Sequence, residues 1–202
     1  MNYPKTRLRR LRYNRNIRNM FEDITVNKSD LIQPIFLVEG KNIKKEIKSL
    51  TGQFQLSIDN AIDFCKSLMN EGVNSIILFG VSSEKDDTGE ISCSSQSIVP
   101  KAIKEIKNKF GDQLLVIADV CNCSYTNHGH CGTIVENDVD NDLTLETLSK
   151  QSLTLAKAGA DVLAPSDMMD GRVQSIRNKL DSSGFEKIPI FPYSVKYASA
   201  FY

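Results

Sequence analysis

Leu31 to Val38 is an apolar run that carries Pro34 and ends in Glu39-Gly40. From there the chain alternates between helical and extended patterns. Ser57 to Asn70 places Ile58, Ala61, Ile62, Cys65, Leu68 and Met69 at helical spacing, which predicts an amphipathic helix ended by Gly72. Ser75-Ile76-Ile77-Leu78-Phe79-Gly80 is a buried strand. Gln96 to Phe110 turns Ile98, Ala102, Ile103 and Ile106 to one side, so a second helix is expected there, closed by Gly111. Leu114 to Asp119 is extended, Thr144 to Ala158 helical with Gly159 as its stop, and Asp161 to Pro165 extended again. A helix over Arg172 to Leu180 and a strand over Ile188 to Tyr193 complete the pattern. Strand and helix in regular alternation predict an α/β fold with a parallel sheet.

Polar residues close these strands one after another: Glu39, Ser82, Asp119, Ser166 and Lys196. No Gly-x-Gly-x-x-Gly turn follows any strand, which argues against a dinucleotide-binding sheet. Many strand ends contributing to one site is instead the habit of the TIM barrel. A whole barrel needs eight strands and about 250 residues. The chain has 202 residues and about five such strands, and Phe201-Tyr202 follows the last strand without a closing helix. The expectation is a shortened barrel.

Composition narrows the class. With 41% hydrophobic and 25% charged residues the chain is ordinary globular material. Its formal net charge of zero gives nucleic acid and anionic membrane no general attraction. No apolar run approaches the roughly 18 residues of a membrane span, and the basic N-terminus leads into no apolar signal segment. Arg7, Arg9, Arg10, Arg12, Arg15 and Arg18 alternate with Leu8, Leu11 and Ile17. Such an arm suits nucleic acid or, better in a neutral chain with no other basic stripe, a neighbouring subunit whose carboxylates pair the arginines. The predicted organisation is a basic arm over residues 1–30 and a partial barrel over 31–202. Five clustered cysteines indicate reduced thiols and metal rather than a disulfide frame, and hence a cytoplasmic protein.

Asp-Val-Cys-Asn-Cys-Ser-Tyr-Thr-Asn-His-Gly-His-Cys-Gly, residues 119–132, holds three of the five cysteines and both histidines. Cys121 and Cys123 can face one ion from adjacent-but-one positions, and the excursion through Gly129 can return Cys131 to it. Three protein ligands leave a fourth tetrahedral position open, as in a catalytic zinc site. His128 or His130 could instead close a structural site, and unliganded or redox-active thiols remain the alternative. Cys65 reads as a small core residue, and Cys93, in a Ser-rich loop, gives no clear signal.

Other strand ends carry candidate chemistry. Lys196, walled by Tyr193, Tyr197 and Phe201, is a candidate amine nucleophile, with a solvated surface lysine as the plainer reading. Ser166 and Asp167 could orient a substrate amine or a catalytic lysine, while Asp170 before Gly171-Arg172 would suit a helix cap. Asp119 could bind a substrate amine, steer a proton or cap local backbone.

Taken together, the segments resemble the porphobilinogen synthases, or δ-aminolevulinic acid dehydratases. The likeness is carried by the 119–132 stretch, by Val-Asp-Asn-Asp at 139–142 and by Ala-Pro-Ser-Asp-Met-Met-Asp-Gly-Arg-Val at 164–173. Tyr-Ser-Val-Lys-Tyr-Ala-Ser-Ala-Phe-Tyr at 193–202, Leu-Ile-Gln-Pro-Ile-Phe-Leu-Val-Glu-Gly at 31–40 and the arginine-rich arm also fit.

The resemblance implies a TIM (β/α)8 barrel of the class I aldolase-like type, here its N-terminal part, with an arm that wraps a partner in a homo-octamer. It implies condensation of two 5-aminolevulinate molecules to porphobilinogen with loss of two waters. Lys196 corresponds to one of two Schiff-base lysines, and this likeness favours its nucleophile reading. Cys121, Cys123 and Cys131 match the ligands of a catalytic Zn2+, while Asp119, Ser166 and Tyr202 match the substrate pocket. A Mg2+ at an allosteric site would lie outside this chain. The family's second lysine and its carboxylate-gripping arginines belong to later positions, so negligible activity is expected of these residues alone. Around the Lys-Asp-Asp-Thr-Gly core at 85–89 the loop departs from the usual form, and Phe191-Pro192 is unusual. Another Schiff-base barrel such as an aldolase would leave the cysteine triplet unexplained. A non-catalytic zinc-binding or subunit-interaction protein is the alternative of a different class.

Overall fold

The computed structural model describes residues 2–194 and Tyr197, so Lys196 and Tyr202 lie outside the described residues. The chain divides into two compact units, Met1–Asp30 and Leu31–Tyr202. The first holds a 3-10 turn at Leu8–Arg12 and a short helix α1 at Arg15–Met20, neither with a buried residue. Asn14 caps α1 by accepting the Ile17 N–H at 2.9 Å. Arg7 and Arg10 donate to carbonyls of the same unit, those of Pro4 and Lys5.

In the second unit the parallel strands β1 (Gln33–Leu37), β4 (Ser75–Gly80), β5 (Leu115–Val120) and β8 (Val162–Pro165) lie side by side. A short antiparallel pair, β2 (Lys44–Glu46) and β3 (Phe54–Leu56), extends the sheet beyond β1. Helices α2 (Ile58–Asn70), α3 (Ile98–Phe110), α4 (Asn141–Ala158) and α5 (Arg172–Asp181) follow β3, β4, the cysteine loop and β8. Strand residues alternate between two faces. Ile35, Leu37, Ile76, Leu78, Val116 and Ala118 join the large core with α2, α3 and α4. Ile117, Val162 and Ala164 form a smaller cluster on the other face, with Ile77 against it. Each fully buried aliphatic chain of the larger core contributes about 1.5–3 kcal/mol, enough to make the alternation decide the register.

The strand and helix expectations are met within a few residues, with informative differences. Asp140 accepts the Leu143 N–H at 2.9 Å and starts α4 three residues before the position predicted from apolar spacing. The segment predicted as a strand at 188–193 forms only a parallel bridge, Leu163 to Ile190. The Phe191 and Tyr193 N–H groups donate to Leu163 and Pro165 carbonyls. Pro192 falls between those two donors, where its missing N–H costs no ladder bond. Asp170 does not cap α5, whose N-cap is Gly171 without side-chain assistance. Asp170 instead exchanges backbone bonds with the Asn141 amide. Two hairpins escaped the sequence pattern, β2–β3 and the pair β6 (Thr133–Val135) and β7 (Asp138–Asp140).

Candidate active site

β5 delivers its residues to the site by alternation. Leu115, Ile117 and Asp119 share one face, and Cys121 continues that sequence just past the strand end. Beside it, Ser166 follows β8, and its hydroxyl donates to the Asp119 carboxylate at 2.6 Å. Two candidates read from separate motifs are thus neighbours at the carboxyl ends of parallel strands.

The loop after β5 is folded tightly. The Asn122 carbonyl accepts the N–H groups of Tyr125 and Thr126, and the Thr126 hydroxyl donates to the His130 carbonyl at 2.8 Å. This reversal returns Cys131 to Cys121 and Cys123. The three thiol sulfurs lie within 4.8 Å of one another, with Cys121 and Cys123 3.4 Å apart. Tetrahedral zinc with Zn–S bonds of about 2.3 Å places its sulfurs about 3.8 Å apart. The trio therefore fits such an ion in donor type and spacing.

Neither histidine joins the trio among the described residues. His128 Nδ1 accepts the His130 N–H, and His130 Nδ1 accepts the Gly132 N–H. Both rings organise the loop backbone, and the three-sulfur set keeps one tetrahedral position open.

The electrostatics oppose free thiolates. Hydrogen bonding to Cys123 and then Cys131, with burial behind it, pushes the Cys121 thiol far above the ordinary range. At Cys123 the bond from Cys121 acts in the lowering direction, but Cys131 and burial leave that thiol raised as well. Three thiolates cannot share this space without a compensating positive charge.

A second loop clamps the first. Asp86 accepts backbone N–H groups from Thr88, Gly89, Glu90 and Ile91. Its own backbone pairs with Tyr125 and Asn127, and Asp87 accepts from the Asn127 amide at 2.9 Å. Tyr125 is buried against Gly80 at the end of β4. Burial, reinforced by the Asp119 charge, raises its phenol. Asp86 and Tyr125 were visible as parts of the quoted motifs, but nothing in their spacing assigned them a role. Asp167, the other strand-end candidate, accepts the Met169 N–H at 2.8 Å and faces the Arg172 guanidinium at 3.6 Å. Arg172 donates on to the Tyr193 carbonyl, so this group ties the 188–193 segment to α5.

The family model described as delta-aminolevulinic acid dehydratase matches residues 5–202. The chain belongs to this family. A delta-aminolevulinic acid dehydratase of Methanothermus sociabilis is 46% identical over 202 residues, covering 100% of this chain and 62% of that protein. One from Helicobacter pylori is 46% identical over 197 residues, covering 97% and 61%. One from Ruminiclostridium josui is 46% identical over 196 residues, covering 97% and 95%. The chain thus spans about three-fifths of the length of the first two relatives.

A solved structure from the family has the same fold. It is the delta-aminolevulinic acid dehydratase (porphobilinogen synthase) of Toxoplasma gondii, in complex with the reaction product porphobilinogen. It matches with a TM-score of 0.92 at 38% identity, covering 98% of this chain and 56% of that one. The parallel sheet is accordingly part of a TIM-type barrel. No helix among the described residues is long and apolar enough to cross a membrane.

Proposed function

We propose that this chain supplies the metal-bearing part of a porphobilinogen synthase, which condenses two 5-aminolevulinate molecules to porphobilinogen and releases two waters. The observation that carries this reading is the meeting of the Cys121, Cys123 and Cys131 trio with the Asp119–Ser166 pair at one end of the sheet. Cys121, Cys123 and Cys131 would hold Zn2+, which when bound supplies Lewis acidity toward a carbonyl or water. Asp119 accepts a hydrogen bond from Ser166 and would receive the substrate ammonium, while Ser166 fixes the carboxylate's direction. Lys196 would condense with a substrate ketone, releasing one water and leaving an imine, a better electron sink than the ketone. Tyr202 would wall the same pocket. The complete assembly is proposed as a cytoplasmic homo-octamer built through the arm, with Mg2+ bound outside these residues.

Trapping tests this assignment directly. Aminolevulinate followed by borohydride should fix substrate mass on Lys196, and a Lys196→Ala chain should take up none. No adduct on either chain would leave a non-catalytic zinc-binding or subunit-interaction role, and an adduct on the variant would misplace the nucleophile. With a single Schiff-base lysine assigned, the 202 residues alone should form negligible porphobilinogen. Substantial product from the purified chain would refute that expectation.

A further inference from the structure

Behind Cys121 lies a polar layer made by α4. Gln151, 2% exposed, donates from Nε2 to the Cys121 carbonyl at 3.3 Å. Its Oε1 has no partner among the described residues. On the next residue of the loop, the fully buried Asn122 accepts at Oδ1 from the Ser92 hydroxyl at 3.5 Å, while its Nδ2 is unpartnered among the described residues. Besides Leu148 and Leu155, α4 buries Thr144, Thr147, Ser149 and Ser152, yet a whole side-chain amide placed there is costlier than an apolar residue of the same size. The one bond Gln151 makes goes to the backbone of a thiol of the trio. Turning the amide over would set its oxygen against the Cys121 carbonyl, so the acceptor fixes its orientation.

We propose that Gln151 is a positioning residue for the metal, holding the Cys121–Asn122 peptide so that the Cys121 sulfur stays aimed at Cys123 and Cys131. The inference rests on the metal-centre reading above. A ligand's backbone needs support because sulfur placement within about 0.5 Å separates a preorganised site from a loose one. The loop's own hydrogen bonds fix Tyr125, Thr126 and His130, and Gln151 reaches the Cys121 carbonyl from outside the loop.

The test is zinc affinity of the full 202-residue chain by chelator competition, with the cobalt(II) spectrum as a readout of ligand geometry. Gln151→Met keeps length and helix propensity but removes the donor. It should bind zinc roughly 10–100-fold more weakly and shift the cobalt ligand-field bands, with a melting temperature close to that of the parent. Thr154→Ala, on the same helix, loses only a bond to the Cys93 carbonyl and should bind as the parent does. Should Gln151→Met prevent folding, Gln151→Leu removes the donor with a shorter apolar side chain and adds no charge to the buried site; it too should weaken zinc. Parent-like affinity and an unchanged cobalt spectrum in a folded 151 variant would overturn the inference while leaving the metal centre standing. A parent chain that binds no zinc would overturn both.

Discussion

At the scale of single residues, Gly80 and Cys65 show how far position can be read as chemistry. A Cβ on Gly80 would run into the Tyr125 hydroxyl and come within 2.9 Å of Val99 Cγ2. Gly80→Ala should therefore destabilise the chain by about 1–3 kcal/mol and weaken metal binding through the displaced loop. Tyr125→Phe in the same chain should restore part of the lost stability, a coupling that denaturant unfolding of the double variant would measure. Cys65 is wholly buried on α2, and burial pushes its thiol up to about 12. Its folded-state value lies above the unfolded one, so its contribution to stability is complete below about pH 9 and lost as pH rises toward 12. Denaturation series across that window should show a steeper fall in the parent than in Cys65→Ala; equal slopes would remove Cys65 as the cause. The cysteine trio and the Cys65 core role were both legible in the sequence, from ligand density and from helical spacing. Gln151 and Asn122 were not, because a polar residue on a helix or in a loop gives no sign of its burial until the tertiary contacts exist.

Among the elements, those with sustained periodicity were the ones the sequence disclosed. β4 and α3 repeat their apolar residues long enough to define a face. β2, with Lys44, Lys45 and Glu46 all exposed, and β6, with Ile134 and Val135 exposed, are three residues each and bury too little to leave a pattern. The start of α4 leaves no apolar pattern for a related reason: its first turn is held by the Asp140 cap rather than by apolar contacts. The 84–93 loop depends on polar geometry to an even greater degree. Burial alone would raise Asp86, yet its bonds from the Ile91, Thr88 and Gly89 backbone keep the carboxyl below its ordinary value. A lowered carboxyl stabilises above the unfolded value of about 3.9 and loses that contribution as pH falls through its folded value. Asp86→Ala should free the amides of Thr88 to Ile91 and the Asn127 amide that bonds its backbone. Hydrogen exchange would read this as lost protection confined to the two loops, with α3 unchanged. Protection retained at all five amides would mean that the backbone pairing with Tyr125 and Asn127 suffices without the carboxylate.

For the whole molecule, the two faces of the sheet are unequally covered. The helical face buries Ile76, Leu78, Val116 and Leu163 completely. On the opposite face Ile32, Pro34, Ile77, Phe79, Phe191 and Tyr193 line a cavity of about 380 Å³, and Ile32, Phe191 and Tyr193 are each more than 40% exposed. Phe36 and Phe79 stack there, with ring centroids 5.4 Å apart. Exposed apolar surface at the inner face of a sheet, beside a segment joined to β8 by only a few bonds, favours association between chains. The purified 202-residue chain should therefore self-associate in a concentration-dependent way and bind a hydrophobic dye. Phe191→Glu removes an exposed ring and adds a charge without touching Cys121, Cys123, Cys131 or the large core. Sedimentation of that variant should shift toward the monomer, and its dye binding should fall, while zinc affinity stays at the parent value. The same variant separates two sources of assembly. If it remains as associated as the parent, the contacts come from the arginine-rich unit, whose Leu8, Tyr13, Met20 and Ile24 are also exposed, and a chain lacking residues 1–30 should then be the one that dissociates.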